Sequence, residues 1–300
     1  MPTLIVIAGP TASGKTSLAI SLAKYFSTEI ISADSRQFYQ GMDIGTAKPS
    51  QEQLSTIRHH FIDSHQITDP YNISDFENDA LEKINQLFLD HNVVIMVGGS
   101  GLYIKAVCQG IDEIPGRDEN IREKLIESLE KDGIRSLQDK LKILDEEYYN
   151  EVDLSNPHRL IRALEVCMSS GQKFSSLRKS KAISRPFQII NIGLLLERDE
   201  LYSRINLRVD QMISEGLVDE ARSLLPFRQV NALNTVGYKE LFDYIDKKCS
   251  LEVAIDLIKK NTRNYAKRQM TWFRKEEGMK WFDPEETDAI LKYLEEQIPN

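Results

Sequence analysis

Leu4-Ile5-Val6-Ile7-Ala8 runs directly into Gly9-Pro10-Thr11-Ala12-Ser13-Gly14-Lys15-Thr16. An apolar run of five followed by G-x-x-x-x-G-K-T is the pattern of a buried strand that turns through a P-loop. Behind it, Leu18, Leu22 and Phe26 recur at spacing four, as on one face of a helix. In that strand, loop and helix setting the glycines let backbone N–H groups curl toward phosphate oxygens, Lys15 adds a positive charge, and the Thr16 hydroxyl can hold Mg²⁺. A glycine turn that binds nothing is the bland alternative, and the context disfavours it. The loop is thus an oligophosphate clamp whose usual occupant is a nucleotide such as ATP, although the loop alone does not select the oligophosphate.

Two more units of the same kind follow. Glu29-Ile30-Ile31-Ser32-Ala33 reads as a strand ending in Asp34-Ser35-Arg36-Gln37, and Val93-Val94-Ile95-Met96-Val97 as a strand ending in Gly98-Gly99-Ser100-Gly101. Ligands bind at the carboxyl ends of such strands, so Asp34 is expected to face the loop's ligand. Between them, Gly41 to Pro49 reads as a loop that wraps the site. A helix is expected from about Ser74 to Asp90, opened by a Ser74-Asp75-Phe76-Glu77 capping box, with Phe76, Ala80, Ile84, Leu87 and Phe88 on one side. These units specify an α/β fold, a P-loop NTPase-like doubly wound parallel sheet. The texture changes near Ile111: residues 111 to 153 hold fourteen acidic and seven basic residues in helical patterns, and 154 to 187 hold seven basic and one acidic. Strand character returns at Phe187 to Leu196. We therefore expect a core formed by 1–111 and 188–300 and a mainly helical insertion over 112–187.

With 300 residues, 41% apolar and 28% charged, the chain can bury a sizeable core. It has no apolar run of membrane-spanning length and no signal peptide, so a cytoplasmic protein is expected. Cys108, Cys167 and Cys249 are too few and too scattered for a zinc or disulfide framework and read as buried spectators. His59, His60, Asp63 and His65 lack metal-ligand spacing and read as hydrogen-bonding residues. A net charge of -8 argues against indiscriminate polyanion binding, but the charge is unevenly spread.

The segment Leu257 to Lys275 holds seven basic residues and no acidic ones. At 100° per residue, Lys260, Arg263, Lys267 and Arg274 fall within about 60° of arc, opposite Ile258, Tyr265 and Trp272. A solvated charge stripe is the ordinary explanation; together with the basic block Arg159, Arg162, Lys173, Arg178, Lys179, Lys181 and Arg185 it points to nucleic-acid contact. Asp34 could ligate Mg²⁺, act as a general base or cap its own turn. Arg36, Arg204 and Arg208, the last two at i,i+4 on one helix face, could neutralise charge on a leaving diphosphate. The Gly98 turn lacks dinucleotide-fingerprint spacing and reads as a place where substrate passes close to the backbone. Trp272 and Phe273 read as core residues first and stacking residues second.

The loop Gly9 to Thr16, Ile31-Ser32-Ala33-Asp34-Ser35, Gly41 to Pro49, Val97 to Tyr103, Asn156-Pro157-His158-Arg159-Leu160-Ile161-Arg162, Thr235-Val236-Gly237-Tyr238 and Lys267 to Arg274 occur in one order. Together they resemble the bacterial tRNA dimethylallyltransferase family from residue 4 to about 283, with Ser100 where that family commonly has Thr. The resemblance implies transfer of a dimethylallyl group from dimethylallyl diphosphate to the exocyclic N6 amine of the adenine 3′ of a tRNA anticodon, with diphosphate released. It implies donor binding by Gly9, Pro10, Thr11, Ala12, Ser13, Gly14, Lys15 and Thr16, with Mg²⁺ on Thr16. Catalysis would fall to Asp34 as base, with Lys15, Thr11, Arg204 and Arg208. It also implies tRNA contacts by Asp34, Ser35, Arg36, Gln37, Ser100, Arg122, His158, Arg159, Leu160, Ile161, Arg162, Asn234, Thr235, Val236, Gly237, Tyr238, Lys239, Lys267, Arg268, Gln269, Met270, Thr271, Trp272, Phe273 and Arg274. The insertion would grip the anticodon stem-loop, no membrane is involved, and a monomer is expected. An adenylate isopentenyltransferase, which needs no large basic insertion, and a P-loop small-molecule kinase using ATP are the rival readings.

Overall fold

The computed structural model describes residues 1–178 and 183–298. In chain order the elements are β1 (Thr3–Ala8), α1 (Lys15–Tyr25), β2 (Ile30–Ser32), α2 (Gln51–Thr56), β3 (His59–His60), α3 (Ile73–Leu87), β4 (Val93–Gly98) and α4 (Gly101–Gln109). Five helices follow: α5 (Glu119–Asp132), α6 (Ile134–Leu144), α7 (Glu146–Glu151), α8 (Pro157–Ser170) and α9 (Phe174–Leu177). The chain then forms β5 (Gln188–Leu194), α10 (Arg198–Ser214), α11 (Leu217–Leu224), α12 (Tyr238–Ile245), α13 (Leu251–Phe273), β6 (Met279–Phe282) and α14 (Thr287–Gln297). Two short 3₁₀ turns, Leu225–Phe227 and Asn231–Leu233, lie between α11 and α12. None of the helices among the described residues is long and apolar enough to cross a membrane.

The chain divides into two compact units, one of residues 1–108 and 185–300 and the other of 109–184. The first is built on a six-stranded sheet in the order β3-β2-β4-β1-β5-β6, in which every pairing is parallel. β1 lies between β4 and β5, with Ile5 opposite both Ile95 and Ile190. All six of its residues are buried, as a continuous apolar strand covered on both faces must be. One face packs on Phe76, Ala80, Ile84 and Phe273, the other on Leu18, Leu22, Ile290 and Leu294. A further cluster joins Phe38, Met42, Leu217, Tyr238, Leu241 and Ile258 beyond the strand ends.

The expected helix near Ser74 exists, but its start differs. Asn72 is the N-cap, accepting from the N–H groups of Ser74 and Asp75 while Asp75 accepts from Asn72. This is a capping box two residues earlier than Ser74. It leaves Glu77 inside, nearly buried, where Arg185 reaches it at 2.7 Å.

The second unit is helical, with a core of Leu125, Leu137, Leu141, Leu160, Ile161, Leu164 and Val166. Its two fully buried acids are each satisfied, as burial of a carboxylate requires. Asp145 accepts from the N–H of Tyr148 and from both the N–H and hydroxyl of Ser175. Glu165 accepts from the Asp118 N–H at 2.8 Å, Arg122 at 3.1 Å and Arg162 at 3.5 Å. Cys108 and Cys167 are buried, whereas Cys249 is only half-buried, so one expected spectator thiol lies nearer the surface. Lys179 and Lys181 of the basic block lie outside the described residues.

Candidate active site around the phosphate loop

β1 ends at Ala8, and the loop to α1 turns at Gly14, whose φ of 87° is left-handed and favours glycine. The N–H groups of the first turn of α1 have no intrahelical acceptor and carry the positive end of the helix dipole. Lys15 folds back so that its ammonium donates to the Pro10 carbonyl at 2.5 Å. Burial, and then the nearby Arg208 cation, pull the Lys15 pKa down from 10.5 to about 7, while Asp34 opposes the shift.

Two adjoining cavities open here. One, of about 220 Å³, is lined by Ala12 to Ser17, Ala47 to Pro49, Gln53 and Arg208. The other, of about 170 Å³, shares Ala12, Lys15, Thr16, Ala47, Pro49 and Arg208 and extends past Asp34, Arg36, Gln37 and Gly98-Gly99 to Thr235-Val236-Gly237 and Tyr265. Part of its wall is apolar, from Val97, Ile205, Val209, Met212, Leu217 and Ile258. The arrangement is a cationic mouth at the glycine loop leading to a partly apolar chamber with one carboxylate.

Asp34 stands at the carboxyl end of β2 and accepts the Arg36 N–H at 2.9 Å, so it does cap its own turn. Burial raises its pKa, partly offset by that N–H and by Lys15. A carboxylate so placed is a stronger base than a solvated one. Arg208 reaches in from α10, donating to the Thr11 hydroxyl at 3.4 Å and the Ala47 carbonyl at 3.3 Å. Arg204, one turn earlier, lines neither cavity and pairs with Glu200 at 2.6 Å and Glu285 at 3.6 Å. The two arginines expected to act together therefore separate: they share a helix face, but the rise of about 6 Å along α10 between them sets Arg204 beyond both cavities, half-buried beside Glu200 and Glu285.

The Gly41 to Pro49 loop is held by a residue that sequence reading missed. The Glu220 carboxylate, on α11, accepts from the N–H groups of Asp43, Ile44 and Gly45 at 2.8 to 2.9 Å and from the Tyr238 hydroxyl at 2.7 Å. Nothing in the sequence distinguishes Glu220 from a surface acid of an amphipathic helix. Tyr238, expected at the RNA, is fully buried in this hub. The loop's Thr46 and Ala47 carbonyls in turn accept from the Gln37 amide.

The Gly98 turn is close-packed by the protein itself. A Cβ on Gly98 would meet the Ala33 carbonyl at 2.2 Å, one on Gly99 the Gln269 amide at 2.3 Å, and one on Gly101 the Trp272 indole at 2.3 Å. Those contacts by themselves require the glycines. The Ser100 hydroxyl accepts from the Ser35 N–H. Nearby, the Tyr265 phenol is pushed up to about 12, chiefly by burial and further by the Asp34 carboxylate.

On α13 the buried stripe is Ala254, Ile258, Ala266, Gln269 and Phe273. Tyr265 and Trp272, placed on the packing face by the wheel, are 36% and 38% exposed; the core stripe is rotated away from them. Lys260, Lys267, Arg268, Thr271 and Arg274 are exposed, and Met270 is half-buried. Arg263 turns inward to Asn206 at 2.6 Å. In the second unit His158 and Arg159 are exposed, but Leu160 and Ile161 are core residues whose side chains reach no surface ligand. Arg122 and Arg162 are engaged by Glu165, and Arg162 also donates to the Pro115 carbonyl at 2.6 Å. Asn234 and Lys239 are exposed. His59 lines the cavity that holds Asp34, with its Nδ1 and the Ile57 carbonyl 2.8 Å apart.

A parallel sheet whose central strand feeds a glycine loop and a helix N-terminus, with ligand cavities at the strand ends, defines the class as a P-loop NTPase-like α/β protein. Residues 37–276 match the model of a family described as IPP transferase. A tRNA dimethylallyltransferase of Christiangramia forsetii is 55% identical over 98% of each chain, and tRNA dimethylallyltransferase 1 of Bacteroides thetaiotaomicron is 49% identical over 98% of this chain and 96% of its own. The crystal structure of the tRNA isopentenylpyrophosphate transferase of Bacillus halodurans superimposes with a TM-score of 0.74 at 37% identity, covering 99% of this chain and 97% of that one. A eukaryotic dimethylallyltransferase acting on tRNA gives 0.76 at 26% identity, over 95% and 74%. The chain belongs to this family of tRNA-modifying prenyltransferases.

Proposed function

We propose that this chain transfers a dimethylallyl group from dimethylallyl diphosphate to the N6 amine of the adenine 3′ of the anticodon in tRNA, releasing diphosphate. The observation that carries the reading is the continuity of the two cavities: phosphate-binding cations at one end, an apolar wall beside them, and the Asp34 carboxylate within the same chamber. The diphosphate would sit on the loop against Lys15 and Arg208, and the five-carbon group against Val209, Met212 and Leu217.

As the carbon–oxygen bond breaks, negative charge grows on the leaving diphosphate, and pre-placed Lys15 and Arg208 stabilise it. The adenine amine is a weak nucleophile because its lone pair is delocalised, so orientation beside the ionising carbon contributes most. Asp34 takes the amine proton as nitrogen attacks. Mg²⁺ fits the loop: it takes few protein ligands and keeps water and phosphate oxygens, so it does not need the cluster of three acids, histidines or cysteines that is absent among the described residues. Thr16, which lines both cavities, would hold it, and it would neutralise diphosphate charge.

An adenine must leave its stack to enter such a chamber. Exposed Lys260, Lys267, Arg268 and Arg274 on α13, and His158 and Arg159 on α8, are the groups we assign to the RNA backbone. In this reading the protein works in the cytoplasm as a monomer. The test is incubation with unmodified tRNA, Mg²⁺ and dimethylallyl diphosphate, then nucleoside mass analysis. Prenylated adenosine at the position 3′ of the anticodon is expected. Productive use of ATP with no prenylation would overturn the reading in favour of a kinase, and prenylation of free AMP but not tRNA in favour of a nucleotide prenyltransferase.

A further inference from the structure

We infer that Gln269 is a positioning residue for the phosphate loop and not an RNA contact, joining helix α13 to the loop and the Gly99 turn. It lies in the Lys267 to Arg274 segment, yet it is only 6% exposed. Its neighbours Lys267 and Arg268 face solvent, while Gln269 shares the buried stripe with Ala266 and Phe273.

Both ends of its amide are used. The Oε1 atom accepts the Thr11 N–H at 2.9 Å, and the Nε2 atom donates to the Gly99 carbonyl at 2.9 Å. The amide thus spans the ends of β1 and β4, in the wall of the cavity that holds Asp34. Thr11 in turn accepts from Arg208 through its hydroxyl, so the Gln269 amide fixes the backbone of the residue that orients the phosphate-facing arginine. The geometry requires an acceptor and a donor on one planar group. An alkyl side chain supplies neither, and an ionised glutamate would set an oxygen against the Gly99 carbonyl.

The inference rests on the prenyl-transfer reading above. The test uses the full-length enzyme and its Gln269→Met and Gln269→Glu variants. The measurements are the KM for dimethylallyl diphosphate, inhibition by inorganic diphosphate, and the tRNA Kd with its salt dependence. For Gln269→Met we expect the donor KM and the diphosphate inhibition constant to rise about tenfold, the order of one lost hydrogen bond, with the tRNA Kd within about twofold of wild type and its salt slope unchanged.

Gln269→Glu keeps the acceptor for Thr11. Relative to wild type at the same pH, it should be impaired at pH 8 and recover toward pH 6, where a protonated carboxyl again donates to Gly99. That recovery is something general destabilisation would not produce, and it serves if the methionine variant fails to fold. A weakened tRNA Kd with unchanged donor constants, or donor constants unchanged in both variants, would overturn the inference. Wild-type transfer measured in parallel separates the two ideas, since its absence would sink the functional reading itself.

Discussion

Lys15 gives the sharpest pH prediction. In the ligand-free protein its pKa is about 7, whereas a diphosphate beside it favours the charged form and holds it protonated. Donor binding above pH 7 must then take up a proton. With a pKa of about 7, roughly one molecule in eleven carries the charged ammonium at pH 8, and about one in a hundred at pH 9. Apparent donor affinity should therefore fall about tenfold from its acidic plateau by pH 8 and about a hundredfold by pH 9, with close to one proton absorbed per donor bound.

The effect on folding has the opposite sign. The folded pKa is depressed below the unfolded value of 10.5, so between about 7 and 10.5 the unfolded chain holds the extra proton, and this group makes the ligand-free protein more stable as pH rises. Calorimetric titration with dimethylallyl diphosphate, in two buffers of different ionisation enthalpy, measures both affinity and proton uptake. The donor's own last ionisation, near that of a phosphate monoester at about 6, is complete across this window. Lys15→Arg stays charged and should bind with little pH dependence. PH-independent affinity between 7 and 9 in the wild type, or the same decline in Lys15→Arg, would refute the reasoning.

Asp34→Asn should lower kcat by about 10²- to 10⁴-fold, the usual range for a removed general base, with tRNA affinity within a few-fold; near-normal turnover would show that Asp34 is not the base. Arg208→Ala should cost about 10²-fold or more in kcat, while Arg204→Ala, which breaks only surface ion pairs, should stay within about threefold; steady-state kinetics on both variants decides. Glu220→Ala leaves three N–H groups and a phenol without their acceptor and should destabilise the protein by about 2–4 kcal/mol in urea unfolding, whereas a loss under about 1 kcal/mol would mean water replaces the carboxylate. Reversing charge at both Lys267 and Arg274 should weaken tRNA binding and flatten its salt slope by about one unit per residue, and an unchanged slope would move the RNA face elsewhere.

The parts of the molecule readable from sequence are those whose signals are local. β1, β4 and β5 are long apolar runs, and the Gly9 to Thr16 loop carries its chemistry in eight consecutive residues. β3, only His59–His60, and β6, Met279–Phe282, escaped notice because they are short edge strands whose pairing depends on neighbours already in place. Asp34 was legible from its position at a strand end, whereas Arg208 could be named only together with Arg204, because the two share a helix face and nothing local chooses between them. Glu220 and the true partners of Gln269 were not: their hydrogen bonds join residues 175 to 177 and 258 apart in the chain, which no local pattern encodes. The helical wheel of α13 found the exposed lysines but misplaced Tyr265 and Trp272, because it knows the period of a helix and not which neighbour covers it.

The parallel order of the sheet also governs how the protein can be made. β1 needs β4 on one side and β5 on the other, and β5 ends at Leu194, separated from β4 in the chain by the whole of the second unit, residues 109–184. On a ribosome adding about 5–20 residues per second, β1 waits roughly 5–20 s after β4 is made before its second partner is complete. Throughout that interval Leu4-Ile5-Val6-Ile7-Ala8 presents an unpaired, uncharged edge, the kind that recruits other chains. The nascent protein should depend on chaperone shielding in that interval, and fragments ending before Gln188 should aggregate where the full chain does not.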